Sequence, residues 1–348
     1  MGFFIGILWF YWISFSFRYY DLTYFIPLVI LGFGLIYALF FWLIGWLGKT
    51  PEIRAVLIFG FAFFSPFGFN WFKPELIFIN SYFSTDIYLY GLFLTILTIT
   101  IRLKRWWKIV GILILISLTY FNKPIQVNLP QLDIAIPITN LAQDKKWKKE
   151  YKSEIIENNF LLIKEAIKAK KDLIILNEAA FPVYLNLDKN ILNRLEKLSH
   201  ETVILTGGLH VKQNRVFNSS YLFKNGEYQI ADKVVLVPFG EKIPLPRWAV
   251  KLINDTFFNG ADDYKNANDV FDFNIKGISF RNAICYEATT DKLYENNPKY
   301  MIAISNNSWF TPSIEPTLQN LLLKLYAKKY KTIIYHSANS GISGIITP

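Results

Sequence analysis

The sequence predicts an N-terminal transmembrane α-helical bundle followed by an α/β domain, because its character changes once along the chain. Hydrophobic residues make up 52% of the 348 residues, and the mean hydropathy is +0.25. This apolar excess is concentrated before about residue 122. Beyond that point, short β-branched runs alternate with polar amphipathic stretches, as expected where helices cover a sheet. We therefore expect a membrane domain over residues 1–122 and a globular domain over residues 123–348.

The first part contains five apolar segments with polar or charged edges. A spanning helix needs about 20 apolar residues, and only the second segment is comfortably longer than that. The others become credible as neighbours in a bundle of about five helices. We do not expect the first to be a removable leader, since no signal-peptide cleavage site follows it. The five segments are Phe3–Phe17, Tyr24–Leu47, Ala55–Phe69, Ile87–Ile101 and Ile109–Phe121.

The charges of the loops predict the orientation of this bundle in the membrane. Basic residues favour the cytoplasmic side, and they are concentrated after the second and fourth segments. The loop over residues 70–86 contains only Lys73 among the basic residues. Five crossings would then deliver everything after Phe121 to the outside. The basic residues of the two cytoplasmic loops are Lys49, Arg54, Arg102, Lys104, Arg105 and Lys108.

The charge and the cysteine and histidine content argue against several kinds of partner and site. The net charge is +10, but no nucleic-acid motif accompanies it, so a lipid surface is the expected partner and nucleic acid is not. The single cysteine, Cys285, allows neither an intrachain disulfide nor a cysteine-based zinc site. The histidines His200, His210 and His336 lack the spacing of metal ligands, so no metal site is expected.

Periodicity predicts the elements of the second part. Helices are expected over Lys146–Lys170, Ile191–Leu198 and Glu315–Tyr330. A turn is expected at Asn225–Gly226. Strands are expected over Ile125–Leu129, Leu132–Ile136, Leu173–Leu176, Val203–Gly207, Ser219–Phe223, Val234–Val237, Ile278–Ile284, Tyr300–Ser305 and Thr332–His336.

Three reactive residues stand next to apolar runs, where strands give way to loops. Glu178 follows one such run, and a carboxylate buried there would have a raised pKa suited to a general base. Lys233 precedes another run, which ends in a Pro-Phe-Gly-Glu turn at Glu241. Cys285 follows a third run, and a nearby lysine would favour its thiolate. Each residue alone also fits a plain reading, namely an exposed loop glutamate, a solvated lysine and a small buried hydrophobe.

Five ordered motifs over Glu178–Pro348 together resemble the apolipoprotein N-acyltransferase family of the nitrilase superfamily. The membrane part fits too, since Gly2–Tyr20 resembles an internal helix of that family's bundle. The motifs are Asn177-Glu178-Ala179-Ala180-Phe181-Pro182, Lys233-x-x-Leu236-Val237-Pro238-Phe239-Gly240-Glu241, Ile284-Cys285-Tyr286-Glu287, Ser305-Asn306-Asn307-Ser308-Trp309-Phe310 and Asn339-Ser340-Gly341-Ile342-Ser343.

The resemblance implies an αββα sandwich and transfer of an acyl chain from a phospholipid to the N-terminal amine of diacylglyceryl-cysteine in an apolipoprotein. It implies that Cys285 forms a thioester, that Glu178 moves the proton, and that Lys233 stabilises the oxyanion. It also implies an inner-membrane protein with its catalytic domain in the periplasm, without metal or cofactor. The supporting residues implied are Glu241, Glu287, Tyr286, Trp147, which corresponds to a lid tryptophan, Asn306 and Trp309.

The sequence departs from the family pattern at both ends and before the glutamate. It begins where the family has already made one or more crossings, and it ends at Pro348, so a fragment or shortened form is expected. Leu176-Asn177 replaces the usual Trp-Pro, which should alter packing more than chemistry. Two alternatives stay open: a membrane-tethered nitrilase-type amidohydrolase, and an inactive membrane scaffold. A transporter is disfavoured because few ionisable residues lie in the membrane segments.

Overall fold

The chain forms two compact units in the computed structural model, which describes residues 1–122, 125–257 and 263–348. The first unit contains residues 1–126, 324–329 and 348. The second contains residues 127–323 and 330–347. The expected domain boundary after residue 122 stays a prediction.

Over the described residues before Lys123, the first unit contains five α-helices joined by loops and 3₁₀ turns. Glycines allow the first two helices to approach closely, since a Cβ added at Gly6 would lie 2.3 Å from the carbonyl oxygen of Phe33. Such close approach through small residues is typical of helices packed in a membrane. The helices are α1 (Gly2–Phe10), α2 (Ile26–Leu47), α3 (Pro51–Phe61), α4 (Ile87–Arg102) and α5 (Arg105–Ser117).

Two predicted membrane segments differ in extent from the helices observed. The segment expected over Ala55–Phe69 is α-helical only as α3, which begins earlier because Thr50 caps it by accepting a hydrogen bond from the Ile53 N–H. The first segment continues from α1 as a 3₁₀ helix over Tyr11–Tyr19. Within the described residues, one helix, Thr23–Leu47, is long and apolar enough to cross a membrane, and α4 is apolar but shorter.

The described residues of the second unit form two five-stranded sheets. The first has the order β1-β2-β3-β4-β5, parallel at β1-β2-β3 and antiparallel beyond. The second has the order β10-β9-β8-β7-β6, with β7, β8 and β9 parallel. The strands are β1 (Ile134–Ala135), β2 (Leu173–Ile175), β3 (Val203–Lys212), β4 (Arg215–Lys224), β5 (Glu227–Asp232), β6 (Asp272–Ile275), β7 (Ile278–Ile284), β8 (Tyr300–Asn306), β9 (Ile333–Asn339) and β10 (Gly344–Ile346).

Apolar side chains of both sheets meet in one buried cluster, so the sheets face each other. It includes Leu205 from β3 with Phe280 and Ile302 from β7 and β8. Helices cover the outer faces. The helices α7 (Lys152–Lys168) and α8 (Lys189–Leu198) pack on the first sheet. The helix α10 (Glu315–Tyr330) connects the parallel strands β8 and β9 and must cross a face of the second sheet. The predicted αββα sandwich is therefore confirmed.

Two further sequence expectations are wrong. No strand forms over Ile125–Leu129, where the carbonyl of Asn128 instead accepts a hydrogen bond from the Tyr300 hydroxyl at 2.9 Å. The helix expected over Lys146–Lys170 is broken into α6 (Gln143–Lys146) and α7, with turns between them. Lys146 is 1% exposed, and its burial at the end of α6 is incompatible with a continuous amphipathic helix. The remaining helix, α9, spans Arg247–Phe257.

Candidate active site

Cys285 begins a 3₁₀ turn over Cys285–Thr289, directly after the last residue of β7. Its φ is +56°, in the left-handed region that residues with a side chain rarely adopt. Such backbone strain costs on the order of 1–3 kcal/mol and persists only where the surroundings hold it, often at functional sites. The residue is only half-buried, in contrast to the apolar strand before it.

Glu178 lies three residues after the end of β2 and is buried. The next residue, Ala179, also has a left-handed backbone, with φ of +47°. Gly207 in β3 makes room for this bend, because a Cβ there would lie 2.7 Å from the Glu178 Cα and 2.5 Å from the Ala179 nitrogen. The glutamate therefore depends on a glycine in the neighbouring strand.

Lys233 follows β5 and is fully buried. Its ammonium nitrogen lies 2.7 Å from Oε2 of Glu241, whose carboxylate also accepts a hydrogen bond from the Val237 N–H. The strand expected over Val234–Val237 is absent from this described segment, since its backbone N–H groups are directed to carboxylates instead of a neighbouring strand. Lys233 and Glu241 therefore pair across a turn instead of along a strand.

Glu287 connects the lysine segment to the cysteine turn. Its Oε2 accepts hydrogen bonds from the N–H groups of Val234 and Val235 at 2.8 and 2.9 Å, and its Oε1 accepts one from Ile284 at 2.8 Å. Burial raises the pKa of Glu287 to about 7, while Lys233 and these backbone donors lower it. This carboxylate thus fixes the backbone on both sides of the site.

Two polar residues that the sequence did not indicate complete the surroundings of Glu178. The Asn218 amide donates to Glu178 Oε1 at 2.7 Å and to Glu241 Oε1 at 3.0 Å, so that it bridges the two carboxylates. The Lys146 ammonium donates to the Glu178 carbonyl oxygen at 2.8 Å. Burial lowers the pKa of Lys146 to about 8, against the opposing charges of Glu178 and Cys285. The nearest sequence clue is Asn218, a polar residue within the apolar pattern of β4.

Opposite charges act on Cys285 from the other two reactive residues. Burial and the charge of Glu178 raise the pKa of the thiol, and Lys233 lowers it, with the net shift upward. Burial also raises the pKa of Glu178, against the lowering effect of Lys233. Burial alone would lower the pKa of Lys233, but Glu241 and Glu178 outweigh it and raise the pKa. At neutral pH the thiol is therefore protonated at rest beside a charged lysine, and it needs a base to ionise it.

The other predicted site residues all belong to the second unit. Tyr286 is buried next to Cys285. Asn306 donates to the Gln143 amide oxygen at 2.9 Å, and so holds the start of α6, the helix that ends at Lys146. Trp309 lies in the 3₁₀ turn after β8. Trp147 is 46% exposed, and its role stays a prediction.

Trp147 lines a pocket of about 770 Å³ on the second unit. Tyr184 and Leu209 line it too, together with Tyr264, whose N–H donates to the Glu241 carbonyl at 3.1 Å. One wall of the pocket is therefore hydrogen-bonded to the backbone of Glu241.

In comparisons with known proteins, the membrane part and the whole chain match the same family. The apolipoprotein N-acyltransferase integral membrane domain matches residues 1–121. The apolipoprotein N-acyltransferase of Wolinella succinogenes is 44% identical over 348 residues, which cover 100% of this chain and 84% of that protein. The Helicobacter pylori protein of the same name is 40% identical, covering 100% of this chain and 82% of its own length.

Among solved structures, a CN-hydrolase superfamily protein of Xanthomonas campestris is similar with a TM-score of 0.45 and 16% identity. The match covers 62% of this chain and 78% of that one.

The membrane-domain match and the curated relatives define an integral membrane acyltransferase. The chain belongs to the apolipoprotein N-acyltransferase family.

Replacing Gly207 with alanine should reduce acyltransferase activity at least tenfold. The added methyl group would meet the backbone of Glu178 and Ala179 at 2.5–2.7 Å, and displacement of a reacting group by about 1 Å can cost roughly a hundredfold in rate. The matched control is Gly208→Ala, whose methyl group would meet the Leu185 side chain at 3.0 Å. Equal activities of the two variants in detergent-purified protein, at equal thermal stability, would contradict this role of Gly207.

Proposed function

We propose that this protein transfers an acyl chain from a membrane phospholipid to the N-terminal amine of an apolipoprotein's diacylglyceryl-cysteine. The observation that carries the proposal is the buried cluster in which Asn218 bridges Glu178 and Glu241, Glu241 pairs with Lys233, and Glu287 connects the segment after Lys233 to the Cys285 turn, within a chain of this family. A lipid donor and a lipidated acceptor both suit a catalytic domain joined to an integral membrane domain.

In the first half-reaction, Glu178 accepts the thiol proton as the sulfur attacks the ester carbonyl carbon of the phospholipid. The raised pKa of Glu178 makes it a stronger base than an ordinary glutamate. The tetrahedral oxyanion is stabilised by the Lys233 ammonium and by a backbone N–H near Cys285. The intermediate then collapses, and Glu178 returns the proton to the departing alcohol oxygen. A lysophospholipid is released, and the acyl chain stays on Cys285 as a thioester.

In the second half-reaction, the amine of the acceptor attacks the thioester carbonyl. Glu178 removes a proton from the attacking nitrogen. As the new amide forms, the sulfur leaves, and Glu178 returns the proton to it. Splitting the transfer through a covalent thioester replaces one difficult step with two easier ones. Glu241 supports both steps by pairing with Lys233, and Glu287 supports them by accepting hydrogen bonds from the backbone of Val234, Val235 and Ile284.

We also propose that residues 1–122 cross the cytoplasmic membrane about five times and hold residues 123–348 on its periplasmic side. The support is the concentration of basic residues in two loops that face the same side. The acyl donor then reaches the enzyme from the bilayer, and the acceptor reaches it from a lipoprotein held in the same leaflet.

The thioester can be tested in two stages on purified protein. Incubation with a phospholipid carrying a labelled acyl chain should label Cys285, which is the single cysteine of the chain. A diacylated lipopeptide should then remove the label and become N-acylated. We expect no label in Cys285→Ser, and labelling at least about a hundredfold slower in Glu178→Gln, since general base catalysis contributes roughly that factor.

The control for these variants is Glu295→Gln, which changes an exposed carboxylate paired with Lys292 and should label normally. Release of the label to water, with no amide formed, would instead indicate a nitrilase-type hydrolase. No label on any variant would indicate a catalytically silent membrane scaffold.

The proposed orientation predicts opposite labelling of two loops. In a Cys285→Ser background, Tyr82→Cys should react with an impermeant maleimide added to spheroplasts, because the loop over residues 70–86 would lie in the periplasm. Lys104→Cys should react only after the membrane is permeabilised. Labelling of Lys104→Cys in intact spheroplasts would contradict the orientation. The Tyr82→Cys change should be tolerated, because the Tyr82 side chain is 84% exposed.

A further inference from the structure

The side chain of Gln319 lies against the sulfur of Cys285, although no motif indicates it. Gln319 belongs to α10 and is 1% exposed. Its amide nitrogen lies 3.8 Å from the Cys285 Sγ, within the range of hydrogen bonds to sulfur, and the two residues are 34 positions apart in the chain. A buried amide donor is thus directed at the reacting atom.

A second amide fixes which end of Gln319 faces the sulfur. The Asn307 side-chain nitrogen lies 2.9 Å from Gln319 Oε1, so the carbonyl end of Gln319 accepts this hydrogen bond. The same nitrogen lies 2.9 and 2.8 Å from the two carboxyl oxygens of Glu315. Asn307 is therefore held by Glu315 and in turn orients Gln319.

The state of Glu315 matters to the thiol as well. Glu315 is 1% exposed, and burial raises its pKa to about 8, against the lowering effect of the Asn307 hydrogen bond. At pH 7 the group is therefore mostly neutral. This neutrality favours ionisation of Cys285, because a negative charge on Glu315 would raise the pKa of the thiol further.

We propose that Gln319 is a further catalytic residue, which donates a hydrogen bond to the Cys285 sulfur as it becomes a thiolate, and that Asn307 and Glu315 position its amide. This inference rests on the proposed role of Cys285 as nucleophile. A negative charge on Glu178, Glu241 or Glu315 opposes the thiolate, and the positive charge of Lys233 favours it. A neutral donor adds stabilisation without adding a buried charge, and hydrogen bonds to ionised acceptors are the strong ones.

The test measures how fast iodoacetamide alkylates the single cysteine of the full-length protein in detergent, with mass spectrometry as the readout. We expect Gln319→Met, which is close to isosteric, to slow alkylation about tenfold at any fixed pH below the thiol pKa. This factor corresponds to an upward shift of about one pKa unit. Asn320→Ala, one position along the same helix, should stay within about twofold of the parent rate.

Two changes at Glu315 test the positioning network. Glu315→Gln replaces one neutral group with another and should leave the alkylation rate within about twofold, whereas Glu315→Leu releases Asn307 and should slow it as Gln319→Met does. Parent-rate alkylation of a folded Gln319→Met protein would overturn the proposal. So would parent-rate alkylation of a folded Glu315→Leu protein, because that would show that Glu315 and Asn307 do not position the amide. The assay needs neither lipid nor acceptor, so its failure is distinct from a failure of acyl transfer.

Discussion

The candidate site depends on one buried positive charge, the ammonium of Lys233. A charge that is removed from water is tolerated only with partners, and here Glu241 lies 2.7 Å away while Glu178 and Glu287 act on it from further off. Leaving a buried charge unpaired costs about 3–5 kcal/mol. The carboxylates around the lysine therefore stabilise its charge. They in turn organise the loops that hold the reactive residues.

Those loops illustrate how catalytic geometry and local structure are coupled. Glu241 and Glu287 accept backbone hydrogen bonds from the segment after Lys233, and Glu287 also accepts one from Ile284. The backbone is thereby removed from any sheet and fixed as a turn. The left-handed conformation of Cys285 is stored strain of the kind that packed surroundings can maintain.

Much of the fold could be predicted from the sequence, because the strongest patterns are local. The strand Ile278–Ile284 and the helix Glu315–Tyr330 have the predicted bounds, since each is an uninterrupted periodic segment. The strand expected at Val234–Val237 was wrong because its β-branched residues suggest a strand, whereas distant carboxylates take its N–H groups. Propensity cannot register a partner that lies about fifty residues away along the chain.

The candidate site was predictable to a similar degree. Reactive residues next to apolar runs indicated Glu178, Lys233 and Cys285, and the ordered motifs added Glu241 and Glu287. The neutral residues Asn218 and Gln319 escaped notice, because a single buried amide is as common in structural hydrogen bonding as in catalysis. Lys146 escaped as well, since it stands in a run of lysines that resembles a solvated helix face.

The most direct measurement of the central claim is the alkylation rate of Cys285 by iodoacetamide in a Lys233→Met protein at fixed pH, with thermal unfolding recorded on the same sample. If the buried ammonium lowers the pKa of the thiol, its removal from folded protein should slow alkylation by about tenfold or more. Alkylation of folded Lys233→Met at the parent rate would contradict this, because it would show that the lysine does not act on the sulfur.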